Sequence, residues 1–341
     1  MIKPAKLNRG DTIATISPSW GCAGAPRVRW KYRLGCQRLA ELGLNVVSAP
    51  NALKGTSYLS AHPKARAEDI LWAFENKNVK AIIANVGGND AIRLLPYLSA
   101  DVIRDNPKIF CGYSDVMTLH LYCHRLGLMT YYGDNLLTTV AETGQWHPYS
   151  RHWFEKAFFD DAPIGRIDPS DDWSWDLDPY TDRSFRKTYM HNPGYRYVQG
   201  KGTAQGKLFG GHGDMRSLRM PDGSSMVEKD DFEGSILFFE DIPELCDVHY
   251  MAAFIDWLGE NGFLQVLHGI IIGKMRMKDS FQPYVDCIRV LVTDKYDRPD
   301  LPILADVNFG HASPMAILPY GAQAEIDVDH LRFTILESGV R

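Results

Sequence analysis

One short stretch limits the folds open to this chain more than any other. Pro107 to Tyr113 reads as a buried strand, residues 115–126 read as a helix, and Ser114 alone occupies the turn between them. So tight a turn holds the serine side chain rigidly above the sheet edge. The helix N-terminus behind it favours negative charge developing there. The pattern for such an elbow is G-x-S-x-G; Gly112 and Ser114 fit it, and Val116 stands where the second glycine belongs. A serine at that point equally suits a plain helix cap. The elbow reading therefore needs a base and an oxyanion site from elsewhere in the chain.

The segments around this junction alternate in kind. Residues 11–18 read as a β-branched strand stopped by Pro18, then a loop runs from Ser19 to Pro26, then a helical pattern to Leu42 is closed by Gly43. Residues 45–50 form a second strand. Residues 63–77 form an amphipathic helix with Ala67, Ile70, Leu71 and Phe74 on one face. Residues 80–86 are a fully apolar third strand that runs into Gly87-Gly88-Asn89-Asp90, and residues 128–132 offer a fifth after the strand ending at Tyr113. Strands alternating with helices predict a parallel sheet covered on both faces. The loop after the first strand lacks G-x-G-x-x-G, and no acidic residue ends the second strand. Both facts argue against a dinucleotide site.

From about Pro163 to Gly202 the periodicity is lost. Asp168 to Asp176 is polar and aromatic, with Trp173 and Trp175, and His191-Asn192-Pro193-Gly194-Tyr195 is rich in turn residues. Long ordered connections are often functional; a linker whose tryptophans pack on a domain edge is the plainer reading. Beyond it, strands are predicted at 206–211, 235–241, 267–273 and 301–307, with closing segments at 316–326 and 331–336 and a helix from Asp247 to Gly262. Shorter strands and fewer crossover helices suggest an α+β domain, a partly closed barrel. At 341 residues the chain exceeds the roughly 250–300 at which single cores stop growing. The expected division is residues 1–162, a connection over 163–202, and residues 203–341.

Composition closes off several function classes. No apolar run reaches the roughly 18 residues of a membrane span, and the opening residues lack the apolar core of a signal peptide, so a soluble cytoplasmic protein is expected. The six cysteines are scattered without a C-x-x-C pair, which favours reduced thiols. A net charge of −5 gives no signal for a nucleic-acid polymer, and Arg27, Arg29, Lys31 and Arg33 read as a solvated helix face. His120 and His124, near Cys111, have the i, i+4 spacing of a zinc pair. The glutamate of H-E-x-x-H is absent, however, and an apolar helix explains the stretch, so no metal is expected.

Candidate partners for Ser114 lie in the second half. His311 follows an apolar strand in a Gly-flanked turn, Asn308-Phe309-Gly310-His311, where loops at strand ends carry catalytic groups. Glu240 ends the apolar run 235–239 and suits a carboxylate that orients an imidazole; Asp241 points the other way if the strand persists. Gly87-Gly88 ends a neighbouring strand, and glycine lets backbone approach a ligand closely. The amides of Gly88 and Asp115 are the expected oxyanion donors. Each residue also has a plain reading as a cap, a loop histidine or a strand-end charge.

Leu7-x-x-Gly10-Asp11, Gly87-Gly88-Asn89-Asp90, Pro107-Lys108-x-x-x-Gly112-Tyr113-Ser114-Asp115, Gly210-Gly211, Leu237-x-x-Glu240-Asp241, Gly269 to Lys274 and Gly310-His311 occur in one order along nearly the whole chain. Together they resemble the serine peptidase family of LD-carboxypeptidases and microcin C immunity proteins. The resemblance implies an α/β architecture, with a Rossmann-like N-terminal domain of parallel sheet joined to a β-rich, barrel-like swivelling C-terminal domain. It also implies a triad of Ser114, Glu240 and His311, an oxyanion hole from Gly88 and Asp115, no metal or cofactor, and a homodimer. G-Y-S-D is the form of the elbow this family uses. Pro169-Ser170-x-x-Trp173-Ser174, Leu177-Asp178 and Asn192 to Tyr195 resemble the immunity branch. There a loop tryptophan stacks on the nucleotide base, so Trp173, then Trp175, is expected to do so, with Gly87, Asn89 and Gly211 also at the substrate.

The implied activity is hydrolysis of an amide or acyl bond in a peptidyl- or aminoacyl-nucleotide. A muropeptide LD-bond and an inactive ligand-binding homologue are the alternatives. Three departures bear on the substrate rather than on the chemistry: Asp134 where the family commonly has Pro, His212-Gly213-Asp214-Met215 where Gly-Gly-Asn-Leu is typical after Gly210-Gly211, and Ala312-Ser313 where Thr-Asp is common.

Overall fold

The computed structural model describes residues 1–240, 247–274 and 281–341. The orientation expected for Asp241 and the reduced thiol expected at Cys246 fall on residues outside these. The five remaining cysteines are free thiols.

Two sheets carry the fold. The first holds β1 (Thr12–Ile16), β2 (Asn45–Ser48), β3 (Val79–Ala84), β4 (Ile109–Gly112) and β5 (Tyr131–Tyr132). All their pairings are parallel, and β4 is buried along its whole length. Helices Arg29–Glu41, Pro63–Glu75 and Met117–Arg125 supply the crossovers. Ala67, Ile70 and Phe74 of the second face inward as the periodicity predicts, and a proline opens its first turn.

The connecting region contributes β6 (Gly165–Arg166), the short ladder of β7 (Asp172–Trp173) with β8 (Met190–His191), and β9 (Arg196–Gln199). The second sheet continues with β10 (Thr203–His212), β11 (Ser235–Glu240), β12 (Gly269–Gly273) and β13 (Ile303–Val307). β14 (Leu318–Pro319), β15 (Gln323–Asp327) and β16 (Arg332–Ile335) close the chain. Its order is β6-β16-β15-β10-β11-β12-β13-β9. Strands β10 to β13 are mutually parallel, with helices Val248–Glu260 and Phe281–Arg289 between them, and antiparallel strands flank this centre. The C-terminal half is thus β-rich around a parallel core. Among the described residues its edge strands β6 and β9 do not pair with each other, so the sheet is open.

The sheets exchange strands across the boundaries read from the sequence. β14 joins the first sheet by pairing with β5, while β6 and β9 from the connection form the two edges of the second. Aromatic packing then locks the halves together: the Phe238 ring on β11 sits 5.5 Å from Tyr132 and 5.1 Å from Tyr320. Each such pair is worth about 0.5–1.5 kcal/mol beyond its buried area. Both parallel cores therefore present their carboxyl ends to the same cleft, the usual location of ligands in such sheets.

Candidate active site between the carboxyl ends of two sheets

Ser114 follows β4 with φ +65°, a left-handed conformation unusual for a non-glycine residue, and a helical turn begins at once behind it. Such a conformation costs of order 1–3 kcal/mol and persists only where the surroundings enforce it. Here Asn135 pairs with both main-chain groups of Tyr113, accepting from its N–H at 3.3 Å and donating to its carbonyl at 3.4 Å. The Ser114 N–H donates to the Tyr132 hydroxyl at 3.3 Å. At Gly87 a side chain would bring a Cβ to 2.7 Å from the Ser114 Cβ, so the third strand's loop can lie directly against the serine.

Residues far apart in sequence complete the group. Ser114 Oγ lies 3.2 Å from His311 Nε2, and His311 Nδ1 lies 3.0 Å from Glu240 Oε2. The same carboxylate oxygen accepts from the His311 main-chain N–H at 2.5 Å, while Oε1 accepts from the Tyr132 hydroxyl. Gly310 makes the approach possible: its φ is +91°, and a Cβ there would fall 1.8 Å from Glu240 Oε2. Glu240 is 2% exposed. Burial alone would raise its pKa, but the His311 charge and the hydrogen bonds from His311 and Tyr132 outweigh it and hold the carboxyl below its usual range. The imidazole also rests edge-on against the Tyr113 ring at 5.0 Å.

The two expected oxyanion donors are carried on one braced unit. Asp115 uses its side chain to accept from Ser19 Oγ at 2.5 Å and from the Ala91 N–H at 2.8 Å. Asp90 is gripped by both terminal nitrogens of the fully buried Arg66 at 2.7 and 2.9 Å, and Arg66 also donates to the carbonyls of Pro18 and Ser19. Trp20 N–H closes the set on the Gly87 carbonyl at 3.0 Å. The loops after β1, β3 and β4 thereby hold one another. Arg66 reads from sequence as one more helix cation, so this brace was not visible there.

A cavity of about 460 Å³ opens over Ser114 and His311, with Gly87, Gly88, Trp20 and Tyr180 among its walls. Asn89 instead lines the adjoining depression beside Ser19. Gly211 lies where β10 meets Met117 and does not line the cavity. The tryptophans expected at the substrate lie away from this cavity. Trp173 is 4% exposed, packs edge-on against Trp175 and lies under the Lys274 ammonium at 4.9 Å; neither indole lines the cavity. The cause is the β7–β8 ladder, together with Ser170, Asn192 and Asn308 hydrogen-bonded to one another, which draws this part of the connection onto the second sheet. Trp20, Tyr113 and Tyr180 line the cavity, and Trp20 and Tyr180 are in edge contact at 5.5 Å.

Lys31 also departs from its expected place. Arg27, Arg29 and Arg33 are exposed, but Lys31 is buried and its ammonium contacts Asp178 at 2.5 Å. Burial pushes the Lys31 pKa down, and Asp178 opposes that. His120 is fully buried, hydrogen-bonded to the Gly112 carbonyl and stacked on Tyr320, with burial lowering its pKa to about 3. His124 packs against Phe209. His212, paired in register with Glu240, is buried, and among the described residues neither ring nitrogen has a hydrogen-bond partner. Among the described residues, no helix is long and apolar enough to cross a membrane.

Comparison with known proteins agrees with this architecture. Residues 13–133 match the LD-carboxypeptidase N-terminal domain and residues 205–326 the LD-carboxypeptidase C-terminal domain. The chain belongs to the LD-carboxypeptidase family. It is accordingly a hydrolase of the peptidase class. It is 27% identical to the microcin C7 self-immunity protein MccF of Escherichia coli, over 98% of this chain and 95% of that one. A murein peptide carboxypeptidase of Bacillus subtilis, so named as probable, is 26% identical over 99% and 95%. Among solved structures, an MccF-like protein from Streptococcus pneumoniae in complex with AMP superposes with a TM-score of 0.84. It is 31% identical, over 95% of this chain and 98% of that one.

Proposed function

We propose that this chain is a serine hydrolase in which Ser114, His311 and Glu240 act as nucleophile, general base and orienting carboxylate. The observation carrying the proposal is the continuous chain of contacts from Ser114 Oγ through the imidazole to Glu240, at 3.2 and 3.0 Å, built on a strained serine at a strand end. His311 Nε2 takes the proton as Ser114 Oγ attacks the scissile carbonyl. Glu240 accepts the Nδ1–H, which fixes the tautomer and stabilises the imidazolium. The amides of Gly88 and Asp115 receive the oxyanion. His311 then gives its proton to the leaving group. In the second half His311 takes a proton from water, which attacks the acyl-enzyme, and returns it to Ser114 Oγ as the acid leaves.

The substrate we propose is a peptidyl- or aminoacyl-nucleotide. The support is an aromatic wall of Trp20 and Tyr180 beside the serine, suited to a flat base, and the likeness to a protein solved with AMP. The muropeptide reading is favoured by the murein peptide carboxypeptidase, which is almost as similar as MccF. No metal or cofactor enters the proposed reaction. Cytoplasmic location and a homodimer belong to the same proposal, and light scattering reads the second.

Purified protein is given a hydrolysable aminoacyl-adenylate analogue and an LD-linked tetrapeptide in parallel. Ser114→Ala is expected to lose at least about 10⁴-fold in turnover with folding retained; retained turnover refutes the triad. Tyr180→Ala is expected to impair only the nucleotide reaction. Absence of fluorophosphonate labelling at Ser114, together with ligand binding, identifies an inactive binding protein instead.

A further inference from the structure

The connection between β7 and β8 makes an arch from Ser174 to Thr188 whose middle walls the cavity. Its foot is closed by Asp176, which accepts from the Thr188 N–H at 2.7 Å. Its crown is fastened to the first domain: Asp178 accepts from the Thr143 N–H at 2.6 Å and contacts the buried Lys31. Asp178 and Tyr180 then face the cavity.

Both ends of this arch seize the same residue, Ser313, two positions after His311. Ser174 and Ser313 exchange main-chain hydrogen bonds at 2.7 and 2.8 Å. From the other end the Lys187 ammonium donates to the Ser313 hydroxyl. Lys187 is itself held from behind by Glu142 at 3.1 Å, with both side chains at most 6% exposed, and the Tyr189 hydroxyl donates to the same carboxylate. A desolvated, hydrogen-bonded ion pair of this kind has little freedom to swing. Among the described residues, the Lys187 hydrogen bond falls on Ser313 in the loop that carries the general base, and Lys187 and Ser313 both line the cavity.

We propose that Lys187 and Ser313 are positioning residues, through which the arch walling the cavity fixes the loop of His311 and so its aim at Ser114. The wall against which the leaving group rests and the base that protonates it are one mechanical unit. His311 already has Glu240 on its Nδ1 side. The arch supplies restraint two residues further along the chain, beyond the Glu240 contacts with the His311 ring and main-chain N–H. The proposal rests on the assignment of Ser114, His311 and Glu240 to the chemistry. Misplacing a reacting group by about 1 Å can cost about 10²-fold.

The test uses the full chain with Ser313→Ala, which keeps the main-chain pairing and the Lys187–Glu142 pair but removes the hydroxyl. The expected result is a kcat for the aminoacyl-adenylate analogue lowered about 10-fold or more, with KM within about threefold and an unchanged melting temperature. Ser313→Thr restores the hydroxyl and is expected to restore kcat. Lys187→Met is expected to lose as much as Ser313→Ala, and the double variant no more than either, because one bond is removed in each case. A Ser313→Ala kcat within twofold of wild type overturns the proposal. So do losses that multiply in the double variant, or a loss of kcat that only tracks a lowered melting temperature. Lys187→Met leaves Glu142 buried without its cation; if that variant fails to fold, the Ser313→Ala and Ser313→Thr kinetics decide the outcome. Failure of wild-type Ser114 to react with a fluorophosphonate overturns the underlying assignment. Labelled Ser114 with unaltered Ser313→Ala kinetics overturns the positioning role alone.

Discussion

Glu240→Gln tests the site with almost no change of shape. The carboxylate accepts three hydrogen bonds: the His311 N–H and Nδ1 on one oxygen, and the Tyr132 hydroxyl on the other. The amide has one acceptor oxygen and one NH₂ group that only donates, and neither orientation satisfies all three. With its oxygen toward His311, the NH₂ faces Tyr132, whose hydroxyl also receives the Ser114 N–H and loses the acceptor for its own proton. With its NH₂ toward His311, two donors oppose it, and relief comes only by moving the imidazole proton to Nε2, which ends its service as a base. Charge is lost in either case. A carboxylate and an imidazolium about 4 Å apart at an effective dielectric of about 20 attract by about 4 kcal/mol. That is about three powers of ten in rate. Turnover and the fluorophosphonate labelling rate of Ser114 are therefore expected to fall about 10³-fold, with the far-ultraviolet spectrum unchanged. A Glu240→Gln enzyme within tenfold of wild type refutes the reasoning, because the buried carboxylate would then be structural.

Gly310→Ala forces a side chain onto a left-handed backbone and a Cβ to 1.8 Å from Glu240 Oε2. Urea unfolding should show a loss of about 1–3 kcal/mol, and labelling of Ser114 should slow at least about 10²-fold. Lys31→Met leaves Asp178 buried without its cation, and such breakage costs about 3–5 kcal/mol. Trypsin should then cut the arch faster at the exposed Arg183 and Arg186, and adding Asp178→Leu should reverse much of the effect. Asp69, buried and hydrogen-bonded by Asn51, has its pKa raised to about 6, with burial as the main cause. The folded state therefore holds a proton that the unfolded chain has released between about pH 4 and 6. Stability falls as pH rises through that window, by about 1.4 kcal/mol for each pH unit crossed. The Asp69→Asn variant, measured against wild type by melting from pH 4 to 7.5, should gain relative stability with rising pH and level off above about pH 6.

The fold was legible where it depended on neighbouring residues. The strand, turn and helix around Ser114 lie within twenty positions and declare themselves by period and by glycine. The glutamate at the end of β11 and the glycine before His311 are likewise local signals. The parallel centre of the second sheet was less visible. The strands themselves are legible, but β11 to β13 are short and buried throughout, and nothing in their patterning says that they pair in parallel.

In the connection from residue 163 to 202 the sequence leaves open which side chains pack inward. Trp173 and Tyr180 stand seven positions apart in one aperiodic loop, and nothing in their identity says which packs inward. The Ser170–Asn192–Asn308 cluster decides it by drawing one onto the second sheet, while Asp178 and Lys31 hold the other at the cavity. Lys31 was misread for the same reason: a cation on a helix is solvated unless a distant segment arrives with a carboxylate to bury it. Sequence by itself thus marks the candidate residues and the local backbone that displays them. Only the tertiary structure decided which of them meet, because Ser114, Glu240 and His311 come from three strand ends on two sheets. Their separations are fixed by packing rather than by anything the residues between them encode.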